Sequence, residues 1–274
     1  MTSIGKDSTV MYFGEGLILS SLTAEGLSFF GDYPTRDPLQ RNPKPRPVTV
    51  EGYIAATAES PEDRLREVTL TRDTLSRITS PDGVFFMNID GRIAHLTDGS
   101  IIFKRSAPFS GKNAECFTLT ANLCGGYFTG PPVTVHAIEE TDGFHFPLTD
   151  GLTPGVTNGN TTIRLHNGGD IPVGFTAEFS PVSTVHSFSL ECAENGKSIT
   201  AVKDFGSGDL IRISTHRESL CFELIRGGNT YDLAGFADAE SELFTLPMGD
   251  CTLRVGAGDP FEGWLTYTEA FVSF

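Results

Sequence analysis

Apolar and polar positions alternate with period two along most of this chain. Gly, Pro, Asn or Asp breaks the alternation every ~8–12 residues, which is the pattern of short antiparallel strands in a sandwich or barrel. Residues 205–274 show it without interruption. Phe205-Gly206-Ser207-Gly208-Asp209 is a turn ahead of Leu210, Ile211 and Ile213. Cys221-Phe222-Glu223-Leu224-Ile225 leads into the hairpin signal Gly227-Gly228-Asn229, followed by Tyr231 and Leu233. Residues 241–246 read as another apolar strand, turned by Pro247-Met248-Gly249-Asp250 into Thr252-Leu253-Arg254-Val255. After a loop over 256–263, residues 264–274 close the chain as one long strand.

Upstream, residues 10–19 predict a strand broken by Gly14 and Gly16, with a short apolar piece over 27–30. Residues 34–47 hold five prolines. Proline fixes φ and lacks the amide donor, so this segment is expected as an extended loop or arm and not as a central strand. Residues 48–54 alternate as a strand should. One helix is predicted, over 61–79. Ser60 supplies an N-cap hydroxyl, Pro61 the first helical position, and Glu62 and Asp63 sit over the positive end of the helix dipole. Leu65, Val68, Arg72, Leu75 and Ile78 or Thr79 follow at spacings of three and four and form one apolar stripe. Ser80-Pro81-Asp82-Gly83 ends it. Strands are expected over 84–89, 92–96 and 101–105, separated by Asp90-Gly91 and Asp98-Gly99 turns. Residues 116–124 make another, running into the Gly/Pro cluster at 125–132; a second cluster spans 147–160. The organisation expected is a β-rich module with one helix over 1–132, a linker or bridging hairpin over 133–159, and a β-sandwich over 160–274.

Charge sharpens this division. The chain of 274 residues carries a formal net charge of -15, but unevenly. Residues 1–130 hold 13 basic and 15 acidic side chains, whereas residues 131–274 hold 7 and 20. So acidic a chain is a poor nucleic-acid binder, because phosphate recognition needs clustered Lys and Arg. Of the aromatics, 21 are Phe and one is Trp, a balance that favours core packing over sugar stacking. The five cysteines show no CxxC pair and no companion His at finger spacing, so they read as reduced, mostly buried thiols of a protein made in a cytosol. The first residues, Met-Thr-Ser-Ile-Gly-Lys-Asp, lack the basic-then-apolar plan of a signal peptide, and no run of ~18 apolar residues marks a membrane span.

The order of these pieces resembles the distal tail proteins (Dit), the hub-ring subunits of long non-contractile phage tails. The resemblance rests on "VTVEGYI" followed by a helix, "NIDGRIAHL" around an Asp-Gly turn, and "ECFTLTANLCGGYFTG" before the domain crossing. "TTIRLHNGGDIPVGFTAEF" looks like the opening strand pair of the family's second domain. "GDLIRIST", "SELFTLPMGDCTLRV" and the final aromatic strand complete the order. It implies an N-terminal ring-forming β domain with one helix and a C-terminal galectin-like β-sandwich. It also implies a homohexameric ring at the virion tail tip, assembled in the bacterial host cytoplasm. Its partners would be other copies of itself, the tail tube protein and the tail-tip or receptor-binding proteins. DNA would pass through the ring without being bound, and no membrane or cofactor would be involved. The role implied is structural, not enzymatic.

Candidate chemistry is sparse. Asn167-Gly168-Gly169-Asp170 offers one carboxylate where a calcium loop needs several oxygens, and reads as a hairpin turn. His136, Glu139, Glu140 and His145 are suitable metal ligands in kind, but their spacing reads as a solvated hairpin tip, and no metal is assigned. GxSxG, HExxH and P-loop motifs are absent from the sequence. Trp264 either packs with Leu265, Tyr267 and Phe271 or offers a stacking platform, which would make the sandwich a carbohydrate-binding module. A glycan-active enzyme, needing two carboxylates across a cleft, is the other rival. The proline segment stands out by its charge. Arg36, Arg41, Lys44 and Arg46 against Asp37 give it +3 in a protein of -15, and these four residues are the expected inter-subunit contacts.

Overall fold

The computed structural model describes residues 1–14, 16–27, 43–105, 114–139, 161–256 and 261–274. The chain is mostly β with one helix, as the periodicity predicts, and the paired strands are antiparallel. None of its described helices is long and apolar enough to cross a membrane. Two compact units divide the chain. The N-terminal unit holds the described residues up to Pro131 together with Ala270–Phe274, and the C-terminal unit those from Pro132 to Glu269.

The N-terminal unit contains β1 (Ser3–Lys6), β2 (Thr9–Tyr12), β3 (Leu17–Ala24), β4 (Arg46–Ala55), α1 (Pro61–Ile78), β5 (Phe85–Ile89), β6 (Arg92–Arg105), β7 (Ala114–Leu123) and the start of β8 (Phe128–His136). Its sheet runs β3-β4-β7-β6-β5-β1-β2. Ser60 caps α1 by accepting from the Asp63 amide, and Pro61 opens it, as expected. The predicted apolar stripe holds only in part. Val68, Leu75 and Ile78 are buried against residues such as Ile4, Leu17, Phe85 and Leu119, but Leu65 faces solvent.

Asp98-Gly99 is a bulge and not the turn expected there. β6 continues through it as one strand whose first half pairs with β5 and whose second half pairs with β7. Asp98 takes φ 54°, and a Cβ on residue 99 would lie 2.4 Å from the Thr79 carbonyl oxygen. An extra residue that bends the strand lets it change partners, and only glycine fits beneath the helix end. Asp90-Gly91, by contrast, is a two-residue hairpin with both φ positive (50° and 95°), as its sequence predicts. Arg46 and Pro47 belong to β4, inside the segment expected to be outside any central strand. Pro47 is tolerated because it lies at the strand's start, before the β3 ladder begins at Val48.

The Gly/Pro cluster at 125–132 opens with a short 3-10 turn over Cys124–Gly126, but β8 then runs unbroken through Gly130, Pro131 and Pro132, and the chain passes from one unit to the other within it. The C-terminal unit adds β9 (Ile138–Glu139), β10 (Thr161–Asn167), β11 (Phe175–Pro181), β12 (Val185–Cys192), β13 (Ser198–Phe205), β14 (Leu210–Ser214), β15 (Cys221–Arg226), β16 (Asn229–Asp232), β17 (Gly249–Val255) and β18 (Phe261–Phe271). One sheet orders β13-β12-β17-β10-β9, and β16-β15-β14-β11-β18 order the other. Phe188 of β12 meets Phe179, Phe222 and Phe261 of the facing sheet with ring centroids 5.4–6.2 Å apart, so the two sheets close over an aromatic core. The strands β10 and β11, adjacent in sequence, sit in opposite sheets. Residues 241–246 are not a strand: a single bridge joins Leu246 to Val173. The chain before it lies along the β13 edge, where Asp238 and Glu242 amides donate to the Thr200 and Ser198 carbonyls, covering an edge that would otherwise be open.

The 205–209 turn carries a pH-sensitive pair. Asp209 is buried, accepts from the Gly206 amide at 2.7 Å, and is gripped by two nitrogens of Arg226, the Nε at 2.7 Å. The Arg226 hydrogen bonds hold the Asp209 carboxyl below its usual pKa, against the opposing effect of burial. A carboxyl depressed in the folded state stabilises it above the unfolded pKa, and the contribution is lost as pH falls through the folded value. Stability of the C-terminal unit should therefore hold at neutral pH and fall below about pH 4. Asp209→Asn should be less stable at pH 7 and show a flatter acid limb in urea titrations. Parallel acid limbs for the two proteins would refute the assignment.

Candidate functional site

The predicted contact residues do not form one group. Arg36 and Arg41 lie outside the described residues. Lys44 is exposed, beside Pro43 and Pro45 in an open cleft that Asp98 and Asn122 also line. Arg46, expected at a subunit contact, is enclosed at the start of β4, where its side chain acts as an internal clamp. Its Nε donates to the Glu25 carbonyl. Its Nη1 donates to the carbonyls of Gly126 at 3.3 Å and Val272 at 2.6 Å, and the guanidinium lies 5.6 Å from the Phe128 ring centroid. Burial pushes the Arg46 pKa down from its ordinary value, though a guanidinium starts so high that it stays charged at neutral pH.

The same corner binds the chain's last residues into the N-terminal unit. Arg92 sits 4.1 Å from the Phe271 ring centroid and donates to the Ser273 carbonyl at 2.6 Å, while Phe274 meets Phe128 edge-on at 5.4 Å. The C-terminal segment is thus a structural part of the first unit. The sequence pattern gives no sign of this, because the contacts are to backbone carbonyls far away along the chain.

Trp264 is 42% exposed and not packed into the core. Period two puts Leu265 and Tyr267 inward, both buried, and turns Trp264 outward beside Glu178 of β11. Glu178 in turn pairs with Arg212 of β14 at 2.8 Å, so the outer face of this sheet presents an aromatic ring next to an ion pair. Of the four metal-type residues in the expected hairpin tip, His136 falls in β8 and Glu139 in β9, and Glu140 and His145 lie outside the described residues. Asn167-Gly168-Gly169-Asp170 is a turn after β10. Asn167 is buried there and donates to the Ile171 and Pro247 carbonyls, which uses its side chain for structure.

A cluster that sequence spacing did not reveal lies in the β-sheet of β12 and β17. Cys192 and Cys251, both buried, place their Sγ atoms 3.7 Å apart, and Glu194 Oε2 lies 3.6 Å from the Cys192 Sγ. The hydrogen bond with Cys251 pulls the Cys192 pKa down to about 7 and drives that of Cys251 up. Burial works against the charged Glu194 carboxylate, yet hydrogen bonds led by the Thr252 amide hold its pKa below the ordinary value. The other three cysteines, Cys116, Cys124 and Cys221, are half-buried. The legible trace was the Cys-Ala-Glu-Asn-Gly run, a thiol and a carboxylate flanking a turn; the partner thiol is 59 residues away.

No family model matches the chain, and no curated protein sequence does. Solved structures do. The crystal structure of the SPP1 Dit protein, described as a paradigm of the hub adsorption apparatus in phages infecting Gram-positive hosts, is 11% identical. It matches over 99% of both chains with a TM-score of 0.59. Chains of the phage p2 baseplate in its activated conformation, with Sr and with Ca, are each 10% identical. They cover 97% and 98% of this chain and of their own, with TM-scores of 0.44 and 0.45. Along its whole length the chain carries the fold of the SPP1 Dit protein.

Proposed function

We propose that this protein is a structural virion component, a hexameric hub ring at the distal end of a phage or prophage tail. In this reading it joins the tail tube to the baseplate and receptor-binding proteins. One observation carries the reading: a shared fold with SPP1 Dit, at a TM-score of 0.59 over 99% of both chains. Chance likeness of a single sandwich would leave the N-terminal unit unmatched. The work of such a subunit is geometric. It ends the tube, passes DNA without holding it, and presents outer domains as a collar for docking.

A ring of identical subunits needs two different complementary patches on each copy. One face of the β4-β7-β6 sheet exposes Tyr53 and Ile102 among the polar residues Thr118 and Lys104, which share their side of the pleat by register. That face supplies apolar area for a neighbouring copy. Arg36, Arg41 and Lys44 remain as candidates for charge complementarity with an acidic neighbour, and Arg46 does not.

The purified chain has a mass of 29.6 kDa. Multi-angle light scattering at micromolar concentration should find a closed species of six, about 180 kDa. Arg36→Glu with Arg41→Glu should shift that species toward monomer at low salt. A strict monomer at every salt concentration overturns the ring and directs attention to Trp264 and its Glu178–Arg212 neighbours as a carbohydrate surface.

A further inference from the structure

The β12–β13 hairpin is built so that its turn reaches back onto β17. Cys192 ends β12. Its amide donates to the Lys197 carbonyl, and its own carbonyl accepts from the Gly196 amide, both at 2.9 Å, which closes a tight turn with φ +68° at Gly196. Ala193 then donates to the Thr252 carbonyl at 3.0 Å, and both carboxylate oxygens of Glu194 accept from the Thr252 amide at 2.9 Å. Cys251 precedes Thr252 on β17 and pairs with Leu165 of β10. The end of one strand, its turn and a second strand therefore bring a thiol, a carboxylate and a thiol to one place. Their ligand atoms all lie within 4.8 Å of one another.

Two of the three separations match the edges of a metal polyhedron. Metal–sulfur bonds of ~2.3 Å and metal–oxygen bonds of ~2.0–2.2 Å at tetrahedral angles give sulfur–sulfur edges of ~3.8 Å and sulfur–oxygen edges of ~3.5–3.7 Å. The observed values are 3.7 Å and 3.6 Å. A disulfide would need the sulfurs at ~2.05 Å. Two thiols merely in van der Waals contact would also sit near 3.7 Å; the Glu194 carboxylate, which accepts from the Thr252 amide and the Cys192 thiol, sets an oxygen donor beside them. Among the described residues Glu194 has no ion-pair partner.

We propose that Cys192, Glu194 and Cys251 form a binding site for one thiophilic divalent cation of the zinc class, with the fourth coordination position open at the exposed hairpin turn. Two thiolates and a carboxylate are a soft-to-borderline donor set, which excludes magnesium and calcium as preferred occupants. The ion would tie the β12–β13 turn to β17, joining segments 59 residues apart in sequence. The site is independent of the ring reading and would stand or fall without it.

The test uses the full chain, reduced and stripped of metal. Addition of Co²⁺ should give near-ultraviolet sulfur-to-metal charge transfer and intense tetrahedral visible bands that saturate at one equivalent. Zn²⁺ should displace it and raise the melting temperature. Cys192→Ser and Cys251→Ser should each abolish the charge-transfer band. Glu194→Gln sits at an exposed turn where folding is not at stake, and should weaken zinc binding by about tenfold or more. Cys221→Ser should change nothing. Absence of charge transfer in wild type with all thiols reduced overturns the proposal. So does zinc affinity unchanged in Glu194→Gln and in the double cysteine variant. Spontaneous loss of two titratable thiols to a Cys192–Cys251 disulfide that excludes metal also overturns it.

Discussion

Replacing Arg46 by methionine should cost the N-terminal unit about 3 kcal/mol, the scale for removing a buried charged donor and stranding its acceptors. Methionine fills much of the stem volume, so the loss reads the guanidinium and not a cavity. That group satisfies the carbonyls of Glu25, Gly126 and Val272. These belong to the end of β3, the turn before β8 and the last residues of the chain, which no shorter or less branched donor can reach together. Arg46→Lys should recover only part of the loss, because an ammonium cannot span that fork. Hydrogen exchange should quicken around residues 25–27, 124–128 and 270–274 while β12 and β17 stay protected. A change below about 1 kcal/mol, or exchange rising equally in both units, would refute the clamp.

Phe188→Ala should destabilise the C-terminal unit by about 3–5 kcal/mol. Phe188 is wholly buried on β12 and touches Phe179, Phe222 and Phe261 of the opposite sheet, so its removal opens a cavity where both sheets meet. Trp264 is the chain's single tryptophan, and it lies on β18 of the same unit. Its fluorescence during urea unfolding therefore reports this unit selectively. Phe188→Leu, which keeps most of the volume, should cost under about 1.5 kcal/mol. A loss for Phe188→Ala as small as that would mean that the sheets collapse over the gap, and that the aromatic cluster is not the centre of the core.

Much of the fold was legible because it is written in local chemistry. Ser60-Pro61-Glu62 announces α1, and Asp90-Gly91 and Gly227-Gly228 announce two hairpins. Alternation announces the closing strand over 264–274, which in fact runs Phe261–Phe271, with Leu265 and Tyr267 facing inward. The errors share one cause. Asp98-Gly99 has the composition of a turn and serves as a bulge, because β6 must bend to meet both β5 and β7. Residues 241–246 have the apolar pattern of a strand, yet they cover an edge and bury Phe244 and Leu246 with only a single bridge, from Leu246 to Val173. Leu65 fits the helix stripe, yet it faces solvent while Val68, Leu75 and Ile78 are buried. Trp264 sits between core residues in sequence and outside the core in space, a consequence of the same period two that placed its neighbours.

The sequence by itself determined most of the strands, where the helix starts and stops, and that the second half of the chain is much the more acidic. Each of these depends on interactions within a few residues, through turn dihedrals, capping and side-chain period. Only the tertiary structure decided that β10 and β11 part into opposite sheets and that the last residues return to the first unit. It alone enclosed Arg46 and brought Cys192, Glu194 and Cys251 to one point. Those outcomes depend on long-range packing, such as the Cys192–Cys251 and Arg46–Val272 contacts between residues 59 and 226 positions apart, beyond the reach of any local pattern.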